Sequence, residues 1–261
     1  MEVIILKDKA TVAREASCYI ANTIRRKKNP VLGLATGSTP LGVYENLVEL
    51  YSNKEIDFSG VKTFNLDEYV GLNKNHKASY YSYMMEHLFS KVNISKENIY
   101  IPNGCVEDVT SECASYEKSI VDAGGIDLQL LGIGRDGHIG FNEPSSSLSS
   151  RTRLKTLTEQ TRSVNSQYFS NMDEVPYHVL TMGVGTIMEA RHIVLIAFGA
   201  EKSEAIASFV EGPVTAMVPA SALQYHEKVT VLVDESAASG LKRQDYYKWV
   251  YLQKPQWQQN V

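Results

Sequence analysis

The chain has 261 residues, of which 43% are hydrophobic and 21% charged, an ordinary globular balance that argues against disorder and against a fibrous repeat. A formal net charge of -4 gives no global basic field, so nucleic acid and anionic membranes are poor partners and an anionic small molecule would need local cations. No apolar run approaches the ~20 residues of a membrane span, and Cys18, Cys105 and Cys113 make neither a C-x-x-C pair nor a disulfide framework.

The opening run, Met1 to Lys7, is too short for a signal peptide, which leads us to expect a cytoplasmic protein. Val3 to Leu6 reads as a first strand. Lys9 to Lys28 follows as an amphipathic helix with Val12, Ala16, Tyr19, Ile20 and Ile24 near one face. Its basic end, Arg25 to Lys28, is read as a solvated terminus favoured by the helix dipole rather than as an anion site. Val31 to Ala35 is a second strand, running into Thr36-Gly37-Ser38-Thr39-Pro40 and then the helical pattern Val43, Leu47, Leu50. Pro40 suits the first helical position and Thr39 the N-cap, so a hydroxyl-bearing loop meets a helix N-terminus and can cradle an oxyanion. An ordinary capped helix is the bland alternative. The loop lacks the G-K-[ST] ending of a nucleotide P-loop, so the phosphate expected there belongs to a small molecule.

Val61 to Asn65 is a third strand with Asp67 and Glu68 just beyond its end. Ser79 to Val92 reads as a helix, Ile99 to Ile101 as a short extended piece, and Thr110 to Ala123 as a helix ended by Gly124-Gly125. Ile126 to Leu131 is the central strand. After it, Gly132-Ile133-Gly134-Arg135-Asp136-Gly137 spells G-x-G-x-x-G, but the helix that a dinucleotide fingerprint needs at its last glycine is opposed by Gly140 and Pro144. Asp136, His138 and Glu143 therefore belong to an irregular loop at a strand's C-terminal end, where open α/β sheets bind ligands. All three can ligate a metal, although nothing else in the chain supplies a further cluster, and a turn whose polar groups merely bond to backbone is the plain alternative.

Arg151-Thr152-Arg153-Leu154-Lys155-Thr156 reads as an extended segment that either lines one face with anion ligands or forms salt bridges. His178 to Met182 and Ile193 to Ala197 are further strands, separated by a glycine-rich turn and a short helical segment. Gly199 to Lys202 leads into a helix to Val210, and a cation at that N-terminus opposes the dipole, which hints at an external anion. Lys228 to Val233 is the last clear strand. The tail carries Tyr246, Tyr247, Trp249, Tyr251 and Trp257 and suits a cover or a subunit contact better than a base-stacking surface. With no internal repeat or linker, the strand-helix alternation implies one three-layer α/β domain over 1–261 with a mainly parallel, Rossmann-like open sheet.

Asp136-Gly137-His138-Ile139-Gly140-Phe141-Asn142-Glu143-Pro144, together with Phe64-Asn65-Leu66-Asp67-Glu68-Tyr69-Val70-Gly71-Leu72, resembles the glucosamine-6-phosphate deaminase family, and the similarity runs over nearly the whole chain. The resemblance implies an enzyme of amino-sugar metabolism and N-acetylglucosamine catabolism that needs no metal or organic cofactor. It would convert glucosamine 6-phosphate and water to fructose 6-phosphate and ammonia. By the same resemblance His138 assists ring opening, Asp136 and Glu143 orient it and tune its protonation, and Asp67 moves a proton from C2 to C1. Thr36, Gly37, Ser38, Thr39 and Lys202 are the implied phosphate ligands. Gln167, in Asn165-Ser166-Gln167-Tyr168, stands where many members carry an arginine on the phosphate; glutamine brings no charge and no bidentate fork, and Arg162 is the candidate substitute. The family also implies a homo-oligomer, a hexamer, activated by N-acetylglucosamine 6-phosphate at Ser146, Ser147, Arg153, Lys155 and Thr156.

Three rivals remain: a 6-phosphogluconolactonase, a galactosamine-6-phosphate deaminase, and a non-catalytic sugar-phosphate sensor. Lactonases resemble Ser-Leu-Phe-Pro where this chain has Phe141-Asn142-Glu143-Pro144. A sensor would be expected to bring a DNA-binding module, for which the residues before Val31 leave no room.

Overall fold

Residues Ile193–Ala197 and Val229–Asp234 are buried along their whole length, as strands are when a parallel sheet is covered on both faces. The computed structural model describes residues 1–255. In chain order its elements are β1 (Glu2–Leu6), α1 (Lys9–Arg26), β2 (Val31–Leu34), α2 (Leu41–Ser52), β3 (Lys62–Asn65), β4 (Asp67–Tyr69), α3 (Tyr80–His87), β5 (Ile99–Tyr100) and α4 (Val109–Asp122). There follow β6 (Leu128–Leu131), β7 (Arg153–Thr156), α5 (Glu159–Asn165), β8 (His178–Thr181), α6 (Val184–Met188), β9 (Ile193–Ala197), α7 (Ser203–Glu211), β10 (Val229–Asp234) and α8 (Gln244–Leu252). Seven strands form one parallel sheet in the order β1-β10-β9-β6-β2-β3-β5, and β4, β8 and β7 form a small antiparallel sheet. The α/β class and mainly parallel sheet expected from the alternation are what the chain adopts.

Side chains alternate across the large sheet with period two. Ile4, Leu32, Leu34, Leu128, Leu130 and Ile196 pack with Val12 and Ile20 of α1, Val43 and Leu47 of α2 and Met84 of α3. Val3, Val31, Leu131, Ile193, Leu195 and Val231 meet Tyr116 of α4, Ile187 of α6 and Phe209 of α7. The result is a layer of helices on either face. Asp8 caps α1 by accepting from the Thr11 N–H at 2.8 Å, and its basic end is tied by Arg25 to Glu55 at 3.3 Å and by Lys27 to Asp127 at 2.8 Å. That end is thus an ion-paired surface, consistent with the solvated reading.

Some boundaries differ from expectation. The helix expected from Ser79 to Val92 stops at His87, because Leu88 leaves helical geometry with φ -139° while its side chain is fully buried, and a single 3-10 turn follows. The tail forms α8 against β1, with Lys254 reaching Glu2 at 2.9 Å and the Tyr247 hydroxyl reaching Glu211 at 3.2 Å, while Tyr246 and Trp249 stay exposed. Trp257 lies outside the described residues. A cleft of about 800 Å³ opens between α8 and the start of β1 and β10, at the edge of the sheet where Glu2 and Val229 begin their strands. No helix among the described residues is long and apolar enough to cross a membrane.

Candidate active site

Four neighbouring strands, β9, β6, β2 and β3, finish at one edge of the sheet, and each runs into a loop that carries candidate chemistry. These loops line a cavity of about 380 Å³: Thr36 to Thr39 after β2, Asp67 after β3, Gly132 to Asp136 and His138 after β6, and Glu201 and Lys202 after β9. The C-terminal edge of an open parallel sheet is where such folds take ligands. Gln167, from the turn after α5, joins the wall, while Glu143 sits behind His138. Nine of the ten residues expected to be catalytic or phosphate-binding therefore share one cavity, and the tenth touches it through the imidazole.

In the loop expected to cradle a phosphate, Gly37 turns through φ +95° and its carbonyl accepts the Tyr83 hydroxyl at 2.6 Å, which fixes the loop from outside. Thr39 is not the N-cap of α2. Pro40 takes that position in αR geometry, and no side chain caps the helix. The first N–H groups of α2 are left without a side-chain acceptor, as an anion site requires. Lys202 precedes α7 and donates to the Ile133 carbonyl at 2.8 Å, tethering the cation to the central loop. Burial lowers its ammonium, with Glu201 pulling the other way and Arg135 pushing further down.

The central loop folds back because two glycines allow it. A Cβ on Gly134 would lie 2.3 Å from the His138 ring, and Gly137 adopts φ +84°. The loop is pinned to β8: Thr181 Oγ1 accepts the Phe141 N–H at 3.1 Å, and Asn142 Nδ2 donates to the Ile139 and Met182 carbonyls at 2.9 and 2.8 Å. So held, His138 Nδ1 lies 2.7 Å from Asp136 Oδ1 and 3.2 Å from Glu143 Oε2. Neither carboxylate sits along the N–H direction, so the contact is an ion pair more than an aligned hydrogen bond. Burial would lower the imidazole, but the two carboxylates outweigh it and raise its pKa to about 9. Burial likewise opposes ionisation of Asp136, and His138 overrides it, holding that carboxyl well below the usual range. Thr161 donates to Glu143 Oε1 at 2.7 Å and keeps the acid turned toward the ring.

Sequence alone does not choose between Asp67 and Glu68; the geometry separates them. Glu68 accepts the N–H groups of Tyr69, Tyr80 and Tyr81 at 2.9, 3.1 and 3.0 Å, so it neutralises the N-terminus of α3. Asp67 is buried, lines the cavity and accepts no hydrogen bond from any described residue. Burial, followed by the neighbouring Glu68, raises its carboxyl to about 8, with His138 opposing. A carboxylate so placed is a poised base.

Other expectations need correction or refinement. Arg162 is no substitute for a phosphate arginine: it is buried, donates to the Met172 and Val175 carbonyls at 2.9 Å and lies 3.7 Å over the Tyr177 ring. Its role is to hold the segment after α5 together. Arg151, in the stretch that sequence leaves open between anion ligands and salt bridges, pairs with Glu117 and Glu189. Arg153 donates to Asn142 Oδ1 at 2.9 Å and so touches the pinned loop from β7. Lys155 shares its face of the strand, whereas Thr156 points to the other. Ser146 is buried with an unpartnered hydroxyl, and Ser147 meets Ser149 at 3.1 Å.

Two residues of the site carry little signal in the sequence. Arg135 occupies a filler position of the G-x-G-x-x-G string, and Thr161 lies in a helix too short to announce itself. Asp136, His138 and Glu143 also bring three potential metal-ligand atoms within 4.8 Å of one another. The two carboxylates converge on one imidazole nitrogen and form an acid-imidazole-acid cluster.

Comparison with known proteins places this geometry. The model of the family described as glucosamine-6-phosphate isomerases/6-phosphogluconolactonase matches residues 7–232. The glucosamine-6-phosphate deaminase of Arthrobacter sp. (strain FB24) is 53% identical over 258 residues, 99% of each chain, and that of Rhodococcus jostii (strain RHA1) is 50% identical over the same span. A solved structure described as a monomeric glucosamine-6-phosphate deaminase superposes with a TM-score of 0.90 at 43% identity, covering 92% of this chain and all of that one. The 6-phosphogluconolactonase of Thermotoga maritima, at 20% identity and a TM-score of 0.71 over 90% of this chain and 99% of its own, shares the fold. With the paired motifs in one cavity and half of its residues identical along nearly its full length, the chain belongs to the glucosamine-6-phosphate isomerase and 6-phosphogluconolactonase family, on its deaminase branch.

Proposed function

We propose that this chain, acting as one α/β unit, converts glucosamine 6-phosphate and water to fructose 6-phosphate and ammonia, with the roles assigned as follows. The observation that carries the reading is the free Asp67 carboxylate facing the same cavity as His138 and the Thr36 to Thr39 cradle. His138, protonated at neutral pH, gives a proton to the ring oxygen as the C1–O5 bond breaks, and the C1 hydroxyl releases its own proton to water as the aldehyde forms. Asp67 takes the proton from C2, the electron pair forms the C1–C2 double bond, and the aldehyde oxygen takes up a proton from water to give the enolamine. Returning that proton to C1 leaves an iminium at C2, to which water adds and from which ammonia departs. Asp136 and Glu143 keep the imidazole charged and turned inward. A lactone hydrolase has no use for a proton transfer between neighbouring carbons, and the Glu143 to His138 contact is built on the residue at which lactonases differ. Ammonia release from purified protein across glucosamine, galactosamine and mannosamine 6-phosphates tests the reading. Turnover confined to glucosamine 6-phosphate supports it, and release from galactosamine 6-phosphate alone would replace it.

Lys202 is the principal phosphate cation in this scheme. Lys202→Ala should raise KM at least about tenfold while most of kcat survives, since a charge-assisted contact contributes ~1.5–3 kcal/mol. An unchanged KM would take Lys202 out of the site.

The finer expectation of a cytoplasmic oligomer activated by N-acetylglucosamine 6-phosphate is part of this proposal. Free cysteines suit a reducing compartment. The contact of Arg153 with Asn142 supports a route from β7 to the pinned loop. Activation requires different affinities for two states, so the activator should lower the half-saturation concentration of an assembly seen as a hexamer by light scattering. A monomer with a flat response, in keeping with the monomeric relative, would leave Arg153 as a strut of the loop.

A further inference from the structure

The substrate's phosphate brings nearly two negative charges at neutral pH, since its second pKa is about 6. The cavity wall meets it with few cations: Arg135, Lys202 and the imidazolium of His138, against the carboxylates of Asp67, Asp136 and Glu201. His138 is engaged by two carboxylates, and Lys202 spends one donor on the Ile133 carbonyl. Gln167, on the same wall, carries no charge and donates its amide to the Val164 carbonyl at 2.9 Å. One partly engaged lysine is a weak grip for a dianion.

Arg135 is the group left over. It follows Gly134 on the loop after β6, is exposed at the cavity, and has no hydrogen bond or ion pair with any described residue. Two like charges held near one another, one of them unpaired, are an arrangement that an anion between them would relieve. The guanidinium also offers a planar fork that matches phosphate oxygens two at a time. We propose that Arg135 is the second phosphate-gripping cation of this site, supplied from the loop that carries Asp136 and His138, on a wall where Gln167 brings no charge. The effect of its charge on the Lys202 ammonium is in keeping with that proximity. This inference rests on the sugar-phosphate reading above and sharpens it: specificity for the phosphate is carried one residue away from Asp136, so anion binding and the imidazole cluster share a loop.

The test compares wild type with Arg135→Gln, Arg135→Lys and the double variant Arg135→Gln, Gln167→Arg. Steady-state ammonia release gives KM and kcat, and calorimetric titration with inorganic phosphate measures the anion grip without any turnover. Arg135→Gln should raise both KM and the phosphate Kd at least about tenfold, with kcat within about threefold of wild type. Arg135→Lys should fall between the two, and Gln167→Arg should restore at least about threefold of the lost affinity. Because Arg135 is exposed, melting temperature should be unchanged. Phosphate affinity within about twofold of wild type in Arg135→Gln, or a lysine that does no better than glutamine, overturns the proposal. Failure to release ammonia from any amino-sugar phosphate would instead overturn the proposed function, while the phosphate titration still decides the role of Arg135.

Discussion

Asp67→Asn should lose at least about a hundredfold in kcat while binding substrate or a non-reactive analogue with nearly native affinity, because a positioned general base contributes roughly 10²–10⁴-fold. Asparagine keeps the shape and removes the basicity. The same substitution should make the protein more stable, and the sign follows from linkage. The carboxyl has its ordinary value near 3.8 when unfolded and about 8 when folded. Between those values the folded state holds a proton that the unfolded state has released, so stability falls as pH rises through that window. The asparagine amide cannot ionise, so the variant should melt higher than wild type at about pH 8 and close to it at about pH 4. A higher melting temperature with lost turnover rules out misfolding as the cause of the loss. Running the wild-type reaction in deuterated water should place deuterium at C1 of the ketose to the extent that the carried proton exchanges before delivery. Activity within about threefold of wild type would remove Asp67 from the role.

Much of this can be read from residues, and the parts that cannot share a physical cause. The parallel strands are legible because burial on both faces writes them as unbroken apolar runs such as Ile193 to Ala197. The site is legible because breakers between Gly132 and Pro144 forbid a helix and leave ionisable groups in a loop at a strand end. β4 is not, since three residues, two of them acidic, show no periodicity, and the strand exists only by pairing with β8. The split between Asp67 and Glu68 likewise depends on α3, whose N–H groups come from residues 12 and 13 positions beyond Glu68. Arg162 misleads for the same reason. An arginine near the expected phosphate position is as good in sequence as any other, and only the fold shows it stacked on Tyr177. Arg135 is hidden inside a string of glycines that spells a dinucleotide fingerprint, and discarding the fingerprint discards the arginine with it.

His138→Gln should also cost at least about a hundredfold, and its pH profile distinguishes chemistry from mere support of the loop. Under the proposed roles the free enzyme works with Asp67 ionised and His138 protonated, so kcat/KM should rise through about pH 8 and fall through about pH 9. Both groups line the cavity and the charge of His138 acts on the Asp67 carboxyl, so the apparent limbs belong to the pair. Glutamine can neither gain nor lose a proton in this range, so His138→Gln should keep the rising limb and lose the falling one. Glu143→Gln offers the sharper reading. It leaves the imidazole in place, pairs it with one carboxylate instead of two, and removes one of the charges that raise its pKa. The falling limb should then move to lower pH, narrowing the active range from the alkaline side, while kcat at the optimum drops less than in His138→Gln. Since the side chain of Glu143 is nearly as buried as a core residue and is held by Thr161, the amide should fit without rearrangement. A falling limb that stays near pH 9 in Glu143→Gln, or persists in His138→Gln, would show that the proton governing it resides on another group, and the assignment of His138 as the ring-opening acid would fail.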